Sequence, residues 1–321
     1  MPSILGQEVG EIGYGLMHFT WAASPPSPEK YTEPMRTALA RGSNYWNGGE
    51  LYGPPEFNSL HMLRDYFRAH PEDADKVVLN IKGGLIPGTL TPDGSKANID
   101  RSINECLRVL DGTKALDVFE AARVDPNHPI EETIGYLAEH VKAGNIKGIG
   151  LSHVDAETIR RAHKVHPIAS VEVMLHLGNR TILKNGVTAT CKELGIPILA
   201  YSPLGSGVLI GKVKSLSDLP EGDVRRFLTD DEKLRATKAF VQRITEVAEK
   251  KGLTPAQLSL TWIRTLSSQD DMPTIIPIPG STNVSRVIEN TELLPLLTAE
   301  DMAEIEAVLD KFDDGSLARA V

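Results

Sequence analysis

The sequence is short of cysteine. Among 321 residues only Cys106 and Cys191 carry thiols. They lie far apart and show no metal-like spacing, so neither a disulfide framework nor a metal site is expected, and a reducing cytoplasm fits best. Long apolar runs are missing too. Nothing approaches eighteen uninterrupted apolar residues, which excludes an expected membrane span. The opening stretch MPSILGQEVGEIG lacks a basic flank leading into an apolar segment, so no secretory leader is expected. Positive charge is in deficit, with 34 Lys and Arg against 43 Asp and Glu and a net charge of −9. That balance argues against nucleic acid or an anionic membrane as the main partner, while leaving room for a local basic pocket. The phosphate-binding glycine signatures are absent as well. No GxGxxG opens a helix after a strand, no GxxxxGK[ST] occurs, and GYGLM (13–17) lacks a third glycine.

What is present is an ordinary globular composition, 41% hydrophobic and 24% charged, in a chain long enough for one large α/β domain or two smaller ones. Short apolar runs at Ile12–Met17, Asn44–Asn47, Val77–Lys82, Leu116–Arg123, Ile146–Ser152, Ser170–Leu175, Ile196–Ser202 and Thr274–Pro279 read as strands. Between them lie segments with apolar residues three and four apart, at Pro34–Arg41, Ser59–Ala69, Ile99–Leu110, Pro129–Ala143, Ala156–His163 and Gly186–Leu194. Asp155 is a good N-cap, whereas Ser102 reads as part of a solvated face. Strand and helix alternating eight times predicts parallel pairing and an α/β fold, a closed (β/α)₈ barrel rather than an open sheet. No linker divides the chain, so residues 1–321 are expected to form a single domain. Residues 203–230 form a long loop at the ligand-facing rim, and residues 298–321 a terminal helix and tail.

In such a barrel the site gathers at the C-terminal ends of the strands. Asn47, Tyr52, Lys82, Arg123, Ser152, Ser202 and Gly280 all fall at or just past them. Tyr52 is a weak acid that a nearby cation, Lys82 on the next strand, would make more acidic. A group of this kind can polarise a carbonyl oxygen and protonate the alkoxide formed on reduction. Equally, Tyr52 could be a turn tyrosine and Lys82 a solvated strand end. IPIPGSTNVSRVIEN (276–290) is the candidate phosphate segment, with amides and hydroxyls at a helix start and Arg286 able to fork onto an anion.

Three segments, YSPLGSGVLIGK (201–212), GIGLSHV (148–154) and IPIPGSTNVSRVIEN, resemble hallmarks of the aldo-keto reductase family in order and spacing. GYGLMHFTW (13–21), GSNYWNGGELYG (42–53), LNIKGGL (79–85) and VFEAARVDPN (118–127) resemble its pyridoxal reductase branch more closely. The resemblance spans nearly the whole chain. It implies a (β/α)₈ barrel that binds NADPH without a Rossmann fold and reduces an aldehyde through a Tyr–Lys–Asp–His tetrad. Tyr52 and Lys82 match that tetrad, but Asn47 stands at the aspartate position and Ala122 at the histidine position. Without a carboxylate at 47, Lys82 is expected to lack a charge partner and to have a somewhat lowered pKa. Arg123 or Glu120 could supply a polar contact where the histidine is absent, although only one parity of a strand faces inward.

By the same resemblance the catalytic residues are Tyr52, Lys82 and Asn47. The cofactor is expected on Gly15, Leu16, Met17, Ser152, Glu172, Tyr201, Ser202, Pro203, Leu204, Gly205, Gly207, Gly280, Ser281, Thr282, Arg286, Glu289 and Asn290. Ser152 and His153 occupy the place of a Ser–Asn pair that holds the nicotinamide amide, Glu172 stands where a glutamine is usual, and Leu175 where an aromatic ring would stack. Trp21, Tyr52 and Arg123 would meet the substrate. The expected function is NADPH-dependent reduction of an aldehyde, pyridoxal in the first instance. A broad or secondary-metabolite carbonyl reductase and a nicotinamide-binding regulatory protein with little catalysis are the alternatives. Expected partners are a small-molecule aldehyde and at most a weak homo-oligomer, with no metal, nucleic acid or membrane.

Overall fold

A computed structural model describes residues 1–21, 25–219, 221, 223, 226 and 229–312. The expected loop at 203–230 and tail at 298–321 therefore fall partly outside the described residues. Eight strands form one parallel sheet in sequence order: β1 (Tyr14–Gly15), β2 (Tyr45–Gly49), β3 (Val78–Gly83), β4 (Val118–Ala121), β5 (Gly148–Ser152), β6 (Ile168–Met174), β7 (Ile198–Tyr201) and β8 (Ile275–Pro277). The barrel closes where Gly13 and Gly15 donate backbone hydrogen bonds to Pro277 and Pro279, and Gly15 pairs in parallel with Gly280. The strands are mostly shorter than the apolar runs that announced them, because a run also includes residues that turn off the ladder. β6 starts two residues earlier than expected.

Helices cover the outside. Ser59–Ala69 keeps its expected bounds, fixed by the side chain of Asn58, which accepts from the amides of Leu60 and His61. Two helices begin earlier than the periodicity suggested, at Pro28 and Lys96. The second is capped by Ser95, so Ser102 lies mid-helix. It is not on a solvated face: its hydroxyl is buried, accepts from the Gly84 amide and donates to Glu50. Between β7 and β8, Lys238–Lys250 and Pro255–Ser267 supply helical cover. After β7, Val208, Val213, Leu219 and Leu234 form a small apolar cluster of their own.

The lumen of the barrel has two layers. Toward the N-terminal ends of the strands, Val78, Val118, Leu199, Ile276 and Ile278 pack against Ile4 and Val9, which belong to an N-terminal hairpin plug and the segment after it. Toward the C-terminal ends β2, β3, β4 and β6 turn Asn47, Asn80, Lys82, Glu120, Ser170 and Glu172 inward, all buried. Burying this many polar groups is tolerable only if they bond one another.

Candidate active site

Tyr52 sits in the turn after β2, 8% exposed. Its carbonyl accepts from the Thr20 hydroxyl at 2.6 Å and from the Ser59 amide. Its ring lies so close to Gly49 that a Cβ there would come within 3.1 Å of it. A side chain at 49 would therefore displace the phenol. The ring of Trp21 lies 5.7 Å from that of Tyr52, tilted by 35°. Lys82 is the penultimate residue of β3, and its Nζ stands 5.7 Å from the Tyr52 ring centroid.

Lys82 is buried and far from alone. Its ammonium donates to Asn47 Oδ1 at 3.0 Å and to Glu172 Oε2, and it lies 3.4 Å from Glu120 Oε1. Asn47 in turn donates to Glu172 Oε2 at 2.6 Å. The expectation that Lys82 lacks a carboxylate partner and drops in pKa is therefore corrected. Burial works against its charge, but Glu120 and Glu172 outweigh it and hold the ammonium well above the ordinary lysine range. Glu172, expected among the cofactor-binding residues, directs Oε2 to Lys82 and Asn47. The carboxylate missing at 47 is supplied from across the barrel, by β6.

Burial pushes the Tyr52 phenol up to about 12; Lys82 pulls it down and the two glutamates push it up. The expected lowering by lysine is present but outweighed, so at neutral pH the phenol keeps its proton. Ala122 is buried just past β4, with its amide on Gly83 O. Glu120 is the residue of inward parity. Arg123 lies outside the lumen at the exposed rim, where its Nη1 donates to Ala122 O at 2.6 Å.

Around this cluster the remaining candidates line the same rim. The buried Ser152 hydroxyl has no hydrogen-bond partner. Its neighbour His153 adopts φ 56° and donates its amide to Glu172 O, and burial followed by the charge of Arg123 lowers its pKa. Ser202, Gly205 and Gly207 all take positive φ. Gly280 packs against β1 so tightly that a Cβ would meet His18 Nδ1 at 2.9 Å and Gly15 O at 3.1 Å. Tyr14 Oη donates to Ser281 O at 2.5 Å, fixing the start of the phosphate segment. Asn283 caps the helix Val284–Asn290, and Arg286 on it is exposed. Lys212 was not singled out by sequence. Burial and then the charge of Arg286 lower its pKa while Glu289 raises it, so Lys212 lies within electrostatic reach of Arg286; GK at the end of YSPLGSGVLIGK was the available signal. Glu289 accepts from the Thr254 hydroxyl at 2.7 Å, and Asn290 is buried.

The close approach of Gly280 to β1, the two cations Lys212 and Arg286, and an orphaned Ser152 hydroxyl paired across the ladder with Glu172 together suit a dinucleotide carrying an extra phosphate. A cavity of about 450 Å³ lined by Val9, Gly10, Arg36, Asn44 and Lys76 lies at the opposite end of the barrel and takes no part.

The family model for the aldo/keto reductase family matches residues 11–310. The chain belongs to the aldo/keto reductase family. By that membership it is an NADP-dependent oxidoreductase. It is similar to the probable pyridoxal reductase 2 of Schizosaccharomyces pombe, 41% identical over 97% of this chain and 95% of the relative. It is also similar to the putative pyridoxal reductase of Saccharomyces cerevisiae, 36% identical over 94% of this chain and 93% of that one. Among solved structures, an aldo-keto reductase from Klebsiella pneumoniae in complex with NADPH superposes with a TM-score of 0.72, at 21% identity over 94% of this chain and 91% of that one. A thermostable aldo-keto reductase in complex with the inhibitor epalrestat gives 0.71, at 22% identity over 96% and 98% of the two chains. At these identities the structures speak for the fold, a (β/α)₈ barrel. No helix among the described residues is long and apolar enough to cross a membrane.

Proposed function

We propose that this aldo-keto reductase reduces an aldehyde to an alcohol, with pyridoxal to pyridoxine as the favoured reaction and Tyr52 as the proton donor. The observation that carries the reading is a protonated, buried phenol held beside a charged lysine at the C-terminal mouth of the barrel. Bound NADPH supplies the hydride that reaches the carbonyl carbon. Tyr52 donates its proton to the oxygen as negative charge develops there, and Lys82 stabilises the phenolate left behind. Lys212 and Arg286 hold the extra phosphate, and Gly280 gives the backbone close access to it. Ala122 leaves room at the rim, the Trp21 ring offers an aromatic face next to Tyr52, and Arg123 can meet a polar substituent. The names of the two reductases at 41% and 36% identity support pyridoxal over other aldehydes. The two cysteines, both free and buried, fit the cytoplasmic location included in this reading.

Following NADPH absorbance against a panel of aldehydes that includes pyridoxal tests the substrate. Tyr52→Phe removes only the hydroxyl and is expected to lower the rate by at least about 10²-fold while cofactor binding persists. A variant that kept most of its rate would remove Tyr52 from the mechanism.

A further inference from the structure

The buried cluster does not balance its charge. Glu120, Glu172 and Lys82 share one lumen, and the side chains of the two glutamates are 0% and 2% exposed. The groups facing them are Tyr45 from β2, Asn80 from β3, Tyr52 from the turn after β2 and Tyr201 from β7, all of them neutral. Arg123 lies at the exposed rim. Two carboxylates against one ammonium would leave a net negative charge in a low-dielectric interior, which costs several kcal/mol unless a proton is taken up.

Geometry says where the proton goes. Glu172 Oε2 accepts from both Lys82 and Asn47, the environment of an anion. Glu120 receives one donor, Asn80 Nδ2 on Oε2 at 2.5 Å, while its Oε1 has no hydrogen-bond partner although Lys82 lies within ion-pair reach. A buried ionised oxygen with no hydrogen bond costs more than the same oxygen in a neutral carboxylic acid. The neighbouring Glu172 carboxylate can accept such a proton, and that hydrogen bond further favours the neutral form of Glu120. Room for this side chain is provided by Gly150 across the ladder, where a Cβ would press on Glu120 Cγ at 3.1 Å.

We propose that Glu120 is a positioning residue held as a neutral carboxylic acid, whose proton keeps the charge of Lys82 available to Tyr52 and whose ionisation at alkaline pH shuts the reduction down. The coupling to Tyr52 rests on the function proposed above; the protonation state does not. When Glu120 releases its proton to solvent, the cluster gains a negative charge beside the phenol. The phenolate formed on proton transfer then becomes harder to make, and the rate falls. Burial, then the charge of Glu172, pushes the Glu120 carboxyl up to about 8, with Lys82 and Asn80 acting the other way. The folded protein thus holds a proton that the unfolded chain would release near the ordinary glutamate pKa. Stability from this group falls as pH rises from that range toward about 8 and is level above it.

Infrared difference spectroscopy on the ligand-free full chain, titrated through the alkaline range, tests the protonation state. A protonated-carboxyl C=O band is expected that disappears with a midpoint near 8, is missing in Glu120→Gln, and is lost at neutral pH in Glu172→Gln, where Glu120 becomes the only carboxylate on Lys82. A band absent from the parent, or surviving in either variant, overturns the assignment. Urea unfolding across the same range gives a readout without spectroscopy, since Glu120→Gln should flatten the loss of stability with pH. Pyridoxal reduction then tests the coupling: the alkaline limb of the pH–rate profile should vanish in Glu120→Gln whatever the height of the profile. An unchanged limb overturns the coupling. A chain that reduces no aldehyde at all but shows the band refutes the functional reading and leaves the neutral acid standing.

Discussion

The two halves of the barrel lumen meet on β3 and β4 and behave as different materials. In the lower half Val78, Val118, Leu199, Ile276 and Ile278 fill space, and any of them could be exchanged for another apolar residue of like volume. In the upper half Asn47, Asn80, Lys82, Glu120 and Glu172 hydrogen-bond one another, so each has meaning only with its partners. Moving one residue pair up β3 or β4 passes from Val78 to Asn80 and from Val118 to Glu120. The fold is carried by the lower layer, and the upper layer draws on its rigidity to hold charges that would not otherwise stay buried.

The sharpest way to break this contrast is Lys82→Met. Glu172 would lose its counter-ion, and removing one partner of a buried pair is expected to cost about 3–5 kcal/mol. The cost should be worst at alkaline pH, where neither glutamate can be relieved by a proton, as urea unfolding at several pH values would show. Ile276→Ala is the matched change below. It should cost about 2–5 kcal/mol through an unfilled space, without moving the midpoints of the pH–rate profile. If the profile moved, the layers would not be independent. Arg286→Ala lies outside the lumen and should weaken NADPH relative to NADH by about 1.5–3 kcal/mol, read by fluorescence titration of both cofactors. Equal weakening would assign Arg286 to structure instead. Asn47→Asp makes the smallest change, adding a third carboxyl beside Lys82. The added negative charge should raise the alkaline midpoint by about one unit, or about 1.4 kcal/mol.

The architecture was legible because repeated apolar runs and helical spacings are local signals. The helix at Ser59–Ala69 was readable to the residue, since Asn58 and the periodicity agree. Ser102 was misread because spacing reports a helix face but not what packs on it. Tyr52 and Lys82 were legible as a pair, being contributed by adjacent parts of the ladder. The pairing of Lys82 with Glu172 was not, since β3 and β6 are separated by two intervening strands and meet only across a closed lumen. Lys212 escaped for a similar reason: only folding sets it against Arg286.

The seam of the barrel deserves to be read as a mechanical element. Where β1 meets the last strand, Gly13 and Gly15 donate to Pro277 and Pro279. In a parallel ladder the bond returned to Gly13 would come from residue 279, and a proline has no N–H to give. At Gly13 the hoop is thus riveted from one side only, with a two-residue strand on one edge and alternating prolines on the other. Under load it is the place to part first. The same joint carries Gly280 against Gly15, so the stretch of wall that yields most easily is also the stretch against which the proposed cofactor lies. Binding there would act as a clasp, and the amides of Gly13 and Gly15 should gain the most protection from hydrogen exchange when NADPH is added.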